Sequence, residues 1–258
     1  MIGQIRALAW NTFREAVRDR VLYSIFFFAL GVILLSLAIQ EITIGDQAKV
    51  VRSAAQGSID FFGAVISMFL GISLVWKELD RRTVYTILSK PIPRWSFVLG
   101  KYFGLMFTLA VQLSLMLLFY VVLMLIESQQ EFPAPVVFVS MGLVLVELLL
   151  LTAWATLFSC YSAPTTAAFF TISIFLIGHL ADDIWLYGSQ AENVSVQTMA
   201  RTLYWVLPNF ELFNIREAAV HHREVPWERV WGAVVYGLAY TSVVLSLAIG
   251  IFNRKDIK

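Results

Sequence analysis

Six apolar runs along the chain constrain its fold more than any other feature of the sequence. A helix that crosses a bilayer needs about 20 mostly apolar residues. The sequence predicts transmembrane helices over residues 22–39, 61–76, 102–126, 136–158, 163–181 and 230–252. The second and fifth runs are short for a span. We therefore expect an all-α integral membrane protein with six transmembrane helices.

Composition excludes most classes of soluble protein. Of the 258 residues, 59% are hydrophobic and 14% are charged, whereas a soluble domain has about 25% charged residues. The net charge of +1 provides no basic field that could hold nucleic acid. The single cysteine, Cys160, permits neither an intrachain disulfide nor a cysteine-cluster metal site.

The distribution of basic residues predicts the orientation in the membrane. Most of the 19 basic residues lie in the first 20 residues, in the connection between the second and third spans, and in the tail from Arg254 onward. Loops rich in Lys and Arg remain in the cytoplasm. We therefore expect both termini and this connection to be cytoplasmic. The connection 127–135 contains acidic but no basic residues, as expected on the outer side.

The first 20 residues are predicted to form an amphipathic helix, from Ile2 to Arg20. Arg14 and Arg18 belong to its polar face. A helix of this kind lies in the membrane interface; a cytosolic extension of the first span is the alternative. The apolar positions that recur at helical spacing are Ile2, Ile5, Ala9, Phe13, Ala16 and Val17.

The stretch 182–229 on the outer side is too long for a simple turn and contains several Trp and Tyr residues. Such residues collect at the boundary between bilayer and water. Residues 202–213 are apolar but too few to span, and Pro208 would break a helix there. We expect a short helical hairpin that lies on the outer face or dips into it, with an ordinary folded loop as the alternative.

Small residues at four-residue spacing predict close contacts between helices. Such sets function either as a subunit or gate interface or as packing within one subunit, and we favour packing. The sets are Gly63, Ser67 and Gly71 in the second span, and Ser242, Ser246 and Gly250 in the sixth.

The sequence lacks the common catalytic motifs. It contains no G-x-x-x-x-G-K-[ST] phosphate loop, no H-E-x-x-H zinc pair and no G-x-S-x-G elbow. Of the three histidines, only His179 lies in a predicted span. With Asp182 and Asp183 it could bind a metal at the outer end of the fifth span. We favour a polar helix end that faces water.

Glu147 is an acidic residue near the middle of the fourth span. A charged side chain at the bilayer centre costs about 2.5–3.5 kcal/mol on insertion scales. We expect Glu147 to face the protein interior or a water-filled path, or to stay protonated. Its role is either in a translocation path or helix lock, or as a hydrogen-bonded structural acid.

The cytoplasmic connection 77–95 is predicted to form an amphipathic helix that Pro91 and Pro93 end. A stiff, charged helix between two spans could dock a soluble partner; a plain positively charged loop is the alternative. The side chains that project charge from this helix include those of Glu78, Asp80, Arg81 and Arg82.

This connection also carries a resemblance to a known family. The run Glu78-x-x-x-Arg82-Thr83, the run ILSKPIPR at 87–94 and the pair Gly100-Lys101 resemble the permease subunits of type-2 ABC exporters. The similarity is greatest to the branch associated with multicopper-enzyme maturation. Further similar stretches make the resemblance cover nearly the whole chain: 147–164, Leu207-Pro208-Asn209-Phe210-Glu211 and Phe252-x-Arg254-Lys255-Asp256.

The resemblance implies a six-helix permease that works as a homodimer, with an ABC ATPase subunit docked on each half. The interfacial helix with Arg14 and Arg18 would also contact the ATPase. No catalytic residue, metal or cofactor is implied in this chain, because ATP and magnesium are bound by the ATPase. The residues implied to couple the permease to the ATPase are Glu78, Arg81, Arg82, Thr83, Leu88, Lys90, Pro91 and Arg94.

Our leading hypothesis is a single transmembrane domain, 1–258, in the cytoplasmic (inner) membrane of a bacterium or archaeon. It would couple ATP hydrolysis by a separate ATPase to export or to conformational work. The interfacial helix (1–20), the coupling segment (77–95) and the outer hairpin (182–229) are its parts outside the spans. Membrane lipid and an outer accessory protein are further expected partners, and nucleic acid is not.

Two other classes remain as alternatives. The first is an intramembrane enzyme or a redox- or metal-bearing membrane anchor, with a polar site formed by Glu147, His179, Asp182 and Asp183. The second is an autonomous secondary transporter, which usually contains inverted repeats. We find no convincing internal duplication in the sequence.

Overall fold

The computed structural model describes residues 2–42, 47–80, 93–127, 134–221 and 223–254. Within these ranges the chain is helical apart from short connections. The helices are α1 (Ile2–Val17), α2 (Arg20–Ile42), α3 (Gln47–Asp80), α4 (Arg94–Glu127), α5 (Pro135–Tyr161), α6 (Pro164–His179), α7 (Ala181–Ser189), α8 (Val194–Val206), α9 (Arg216–Val220) and α10 (Trp227–Arg254), with a 3₁₀ turn at Glu211–Phe213.

Four of the described helices are long and apolar enough to cross a membrane. Their apolar parts are Lys49–Ser73 in α3, Arg94–Leu125 in α4, Pro135–Tyr161 in α5 and Trp227–Arg254 in α10. Helices α6 and α7 meet the test only as a pair, which would make five spans. In α2 the side chains are described as far as Leu35, and the part Arg20–Leu35 is shorter than a span. The first of the six predicted spans therefore stays a prediction.

The second predicted span was wrong at its start. We expected it to begin at residue 61, but α3 begins at Gln47 and its apolar part at Lys49. The polar residues Arg52 and Asp60 interrupt the apolar pattern. Asp60 is compatible with a long helix because it lies 4.0 Å from an arginine in a distant part of the chain. The local sequence does not reveal this contact.

The fifth predicted span, 163–181, is not one straight helix. Helix α6 ends at His179, and α7 starts at Ala181 with its axis bent by 57° from that of α6. At this bend the Gly178 carbonyl accepts a hydrogen bond from the Phe210 backbone N–H at 3.0 Å. A Cβ on Gly178 would collide with the Phe210 ring. The end of α6 is thus set by a segment that follows about 30 residues later.

Helix α5 lies at the centre of the bundle, between α3 and α10. From Leu148 to Cys160 every side chain except that of Trp154 is buried. Two hydrogen bonds join it to its neighbours: Ser159 Oγ donates to the Ile72 carbonyl of α3 (2.8 Å), and Tyr102 Oη of α4 donates to the Leu149 carbonyl (2.8 Å). Each bond joins a side-chain hydroxyl group of one helix to a backbone carbonyl of the next helix.

The small residues of α3 pack within the subunit. A Cβ on Gly71 would lie 2.5 Å from Ala155 Cβ of α5, and one on Gly63 would lie 3.0 Å from the Leu148 side chain. This confirms the packing interpretation for the α3 set. The set in α10, which consists of Ser242, Ser246 and Gly250, is exposed instead.

Helix α1 packs along the first turns of α4. Gly104 permits the approach, since a Cβ there would lie 2.5 Å from the Ala9 carbonyl oxygen. Thr12 and Ala16 are buried in this contact. The helix ends at Val17 rather than at Arg20, and the Asp19 carboxylate accepts a bond from the Val21 N–H (3.0 Å) at the start of α2. Its position relative to a membrane stays a prediction.

Candidate functional site

A polar cavity of about 190 Å³ lies between α3, α5, α6 and residues 213–216. The polar groups are contributed by elements far apart in sequence, and aromatic and aliphatic side chains fill the rest of the wall. The polar lining consists of Asp60, Ser140, Glu147, His179, Asn214 and Arg216. The apolar lining consists of Phe61, Val144, Phe175, Phe213 and Ile215, with Gly57 between.

Glu147 and His179 meet in this cavity. Glu147 Oε1 lies 3.4 Å from His179 Nε2, and the Glu147 side chain is only 8% exposed. The other ring nitrogen, Nδ1, lies 3.1 Å from the Phe175 carbonyl and donates its proton there. With that proton engaged, a favourable contact between Nε2 and Oε1 needs one further proton, on the imidazole or on the carboxyl group.

Asp60 and Arg216 form a second, looser contact. Arg216 Nη1 lies 4.0 Å from Asp60 Oδ2, and both side chains are partly exposed. Gly57 leaves the room for the guanidinium, because a Cβ there would lie 2.8 Å from Arg216 Nη1. Asp60 Oδ1 is buried and accepts no hydrogen bond from the described residues. One acceptor of this cavity is thus without a donor in the described part of the chain.

Residues 213–216 line one side of the cavity, and the segment 207–216 that contains them is fixed in place. The Asn209 N–H donates to Tyr236 Oη (3.0 Å), and Tyr240 Oη donates to the Val206 carbonyl (2.7 Å). Phe210 and Phe213 are fully buried. Helices α7 and α8, which precede this segment, pack on each other with the Trp185 and Tyr204 rings 5.1 Å apart. The region predicted as a hairpin or a loop therefore contains a pair of helices and a buried return segment.

The four residues of the alternative site are only partly brought together. Glu147 and His179 are in contact, but Asp182 Oδ1 accepts a hydrogen bond from Asn209 Nδ2 (2.7 Å), and Asp183 is exposed. Neither aspartate lines the cavity. The residues that the structure describes contain no group of three or more His, Cys, Asp or Glu side chains that could hold a metal.

Sequence reasoning missed Asp60 and Arg216. Asp60 directly precedes the second predicted span, and Arg216 was grouped with the long outer stretch. The sequence did contain one signal for Asp60, because an acidic residue directly beside an apolar run indicates a buried or paired carboxylate. Its partner was not predictable from a single sequence, because the two residues are far apart along the chain.

The residues implied to couple to an ATPase are described only in part. Arg94 Nη1 donates to the Asn253 carbonyl at the end of α10 (2.9 Å). Glu78 lies in the last turns of α3, while Arg14 and Arg18 are exposed and Arg14 lies over the Trp10 ring. The remaining members, Arg81, Arg82, Thr83, Leu88, Lys90 and Pro91, lie outside the described residues.

Among the described residues, four helices, or five with the bent pair, are long and apolar enough to cross a membrane, which defines a multi-pass helical membrane protein. The chain matches the family model for the ABC-2 family transporter protein over residues 6–257, and it belongs to that family. It is therefore a permease subunit of an ABC transporter, the membrane component that works with an ABC ATPase subunit. The comparison with curated proteins found no match. The multicopper-maturation branch stays a prediction.

Proposed function

We propose that this permease couples ATP binding and hydrolysis by a separate ATPase subunit to export or to other conformational work across the membrane. The observation that carries the proposal is the family match over residues 6–257. In the proposed complex two permease copies pair, each docks one ATPase, and ATP and magnesium are bound only by the ATPase. Both termini of the permease lie in the cytoplasm, in keeping with the distribution of basic residues.

Coupling is proposed to run through residues 77–95, which join α3 to α4. Helix α3 is continuous from Gln47 to Asp80. Asp60 is 20 residues from the end of α3, or about 30 Å at 1.5 Å per residue. A displacement at the ATPase end would therefore move Asp60 relative to Arg216, since a packed helix moves as a rigid element. This links the proposed docking site to the polar cavity.

Two further contacts support this route. Arg94 at the start of α4 is bonded to the end of α10, so a force on the coupling segment acts on two spans together. Helix α1 packs on the same end of α4 and leaves Arg14 and Arg18 exposed. We propose that this basic surface lies in the inner leaflet and also contacts the ATPase.

Reversing the charge at both Arg81 and Arg82, as Arg81→Glu with Arg82→Glu, is expected to release the ATPase. Like charges placed across an interface cost several kcal/mol, so we expect at least about a tenfold loss of copurified ATPase. The measurement is purification in mild detergent from the native membrane, with quantitative mass spectrometry of the partners and an assay of ATP hydrolysis.

The matched control is Arg223→Glu with Arg229→Glu. Both arginines are exposed at the opposite end of the bundle, and this pair should leave copurification unchanged. Undiminished copurification and coupled hydrolysis in the Arg81 and Arg82 variant would contradict the proposed docking segment. If no ATPase copurifies with the folded, abundant wild-type chain, the proposed function itself is wrong.

A further inference from the structure

We propose that the polar cavity binds a primary ammonium group, carried by a small amine or by a lipid headgroup. The inference deepens the proposed function. It rests on that function in one respect, namely that the permease moves the bound group. It follows from three properties of the cavity: its charge, its free acceptor and its size.

The charged groups of the cavity leave Asp60 as the position for a cation. The contact between Glu147 and His179 holds one further proton, on the imidazole or on the carboxyl group, so that pair is neutral as a whole. The guanidinium of Arg216 is 4.0 Å from the nearer Asp60 oxygen, which is too long for a hydrogen bond. Arg216 is 41% exposed and is solvated by water, whereas Asp60 Oδ1 is buried. A positive group that donates to Asp60 is thus better matched than a negative one.

The free acceptor requires a ligand that donates hydrogen bonds. Asp60 Oδ1 is buried and accepts no bond from the described residues. Buried acceptors are nearly always satisfied in folded proteins. A primary ammonium has three N–H donors and can satisfy this oxygen, while a quaternary ammonium has none. The described residues provide no group of three metal ligands, so an organic cation fits better than a divalent metal.

The size and walls of the cavity limit the ligand further. A cavity of about 150 Å³ accommodates benzene, so the cavity of about 190 Å³ here holds a molecule of similar size or the headgroup of a larger one. Phe61, Phe175 and Phe213 contribute aromatic walls, and aromatic rings attract organic cations. A peptide or an intact lipid is too large to enter as a whole.

The test is titration calorimetry on the purified full-length chain, without ATPase, using ethanolamine hydrochloride and choline chloride at constant ionic strength. We expect ethanolamine to bind and choline to bind at least about tenfold more weakly, because both carry a hydroxyl group but only ethanolamine has N–H donors for Asp60. Asp60→Asn and Glu147→Gln should each weaken ethanolamine binding at least about tenfold. Asp183→Asn, which removes an exposed carboxylate outside the cavity, should leave the affinity unchanged.

The source of the ammonium group is distinguished in nanodiscs. If phosphatidylethanolamine discs weaken the binding of free ethanolamine relative to phosphatidylcholine discs, the lipid headgroup occupies the cavity. If the two disc types give equal binding, the ligand is a free amine. Both results support an ammonium site.

Three results would overturn the proposal. These are no heat of binding for ethanolamine in a monodisperse wild-type chain, equal affinity for ethanolamine and choline, and wild-type affinity in both Asp60→Asn and Glu147→Gln. The two variants are nearly isosteric with the native residues, and size-exclusion chromatography checks that each is folded. Since no ATPase is present, the outcome is separate from that of the copurification experiment.

Discussion

Replacing Gly71 with leucine is expected to destabilise the bundle by about 3 kcal/mol, because extra methylenes in a well-packed contact force backbones apart. A Cβ at this position would already lie 2.5 Å from Ala155 Cβ and 2.9 Å from the Thr152 carbonyl oxygen. Backbone atoms cannot yield as a flexible side chain can. Helices α3 and α5 would therefore have to separate, and Gly71→Ala should give a smaller loss in the same direction.

Gly142 on α5 provides the matched control. It is exposed, and a Cβ there would meet nothing within 4 Å among the described residues. Gly142→Leu should change stability by no more than about 0.5 kcal/mol. The measurement is unfolding of the purified chain in mixed micelles with a rising fraction of sodium dodecyl sulfate, followed by circular dichroism. Equal losses at the two positions would show that the α3–α5 contact does not depend on Gly71.

The sequence was most informative where a span has a single, uninterrupted apolar pattern. Helices α4, α5 and α10 correspond to the third, fourth and sixth predicted runs. The small-residue spacing of α3 correctly predicted a close contact between helices within the subunit. These features are local, because hydropathy and residue size act through neighbours three or four positions away.

The features that sequence reasoning missed depend on contacts between distant residues. Asp60 interrupts the apolar pattern, and the predicted span therefore began only after it, at residue 61. The partner of Asp60, Arg216, follows more than 150 residues later and could not be identified from the local sequence. The end of α6 depends in the same way on Phe210, which bonds and packs against Gly178. A single sequence contains no record of which distant segments meet.

Glu147 lies between these two cases. Its burial was one of the outcomes expected from the cost of an exposed charge in a membrane, and the structure places it inside the protein. Its contact with His179 required knowledge of how α5 and α6 pack. The burial of Glu147 was therefore predictable from the free-energy cost of a charge in the membrane. The residues that surround Glu147 in the cavity were not predictable.

Arg216→Glu is expected to destabilise the chain by about 2 kcal/mol, since removing one partner of a buried ion pair costs about 3–5 kcal/mol and this pair is only partly buried. The two side chains are 41% and 29% exposed, for Arg216 and Asp60 respectively, so water screens part of the interaction. The new carboxylate would face Asp60 and Glu147 in one cavity. Arg223→Glu, a charge reversal at an exposed position seven residues further along the chain, should have little effect.

A double-mutant cycle separates the pair from its surroundings. Arg216→Gln leaves Asp60 without its cationic neighbour and should lose about 1 kcal/mol, while adding Asp60→Asn should recover most of that loss, because replacing both charges of a pair is often nearly neutral. Thermal unfolding in detergent gives the four free energies, and limited proteolysis shows whether residues 207–216 have been released. Purely additive losses would mean that Arg216 and Asp60 do not interact, and the contact between α3 and α9 would then rest on other residues of the two helices.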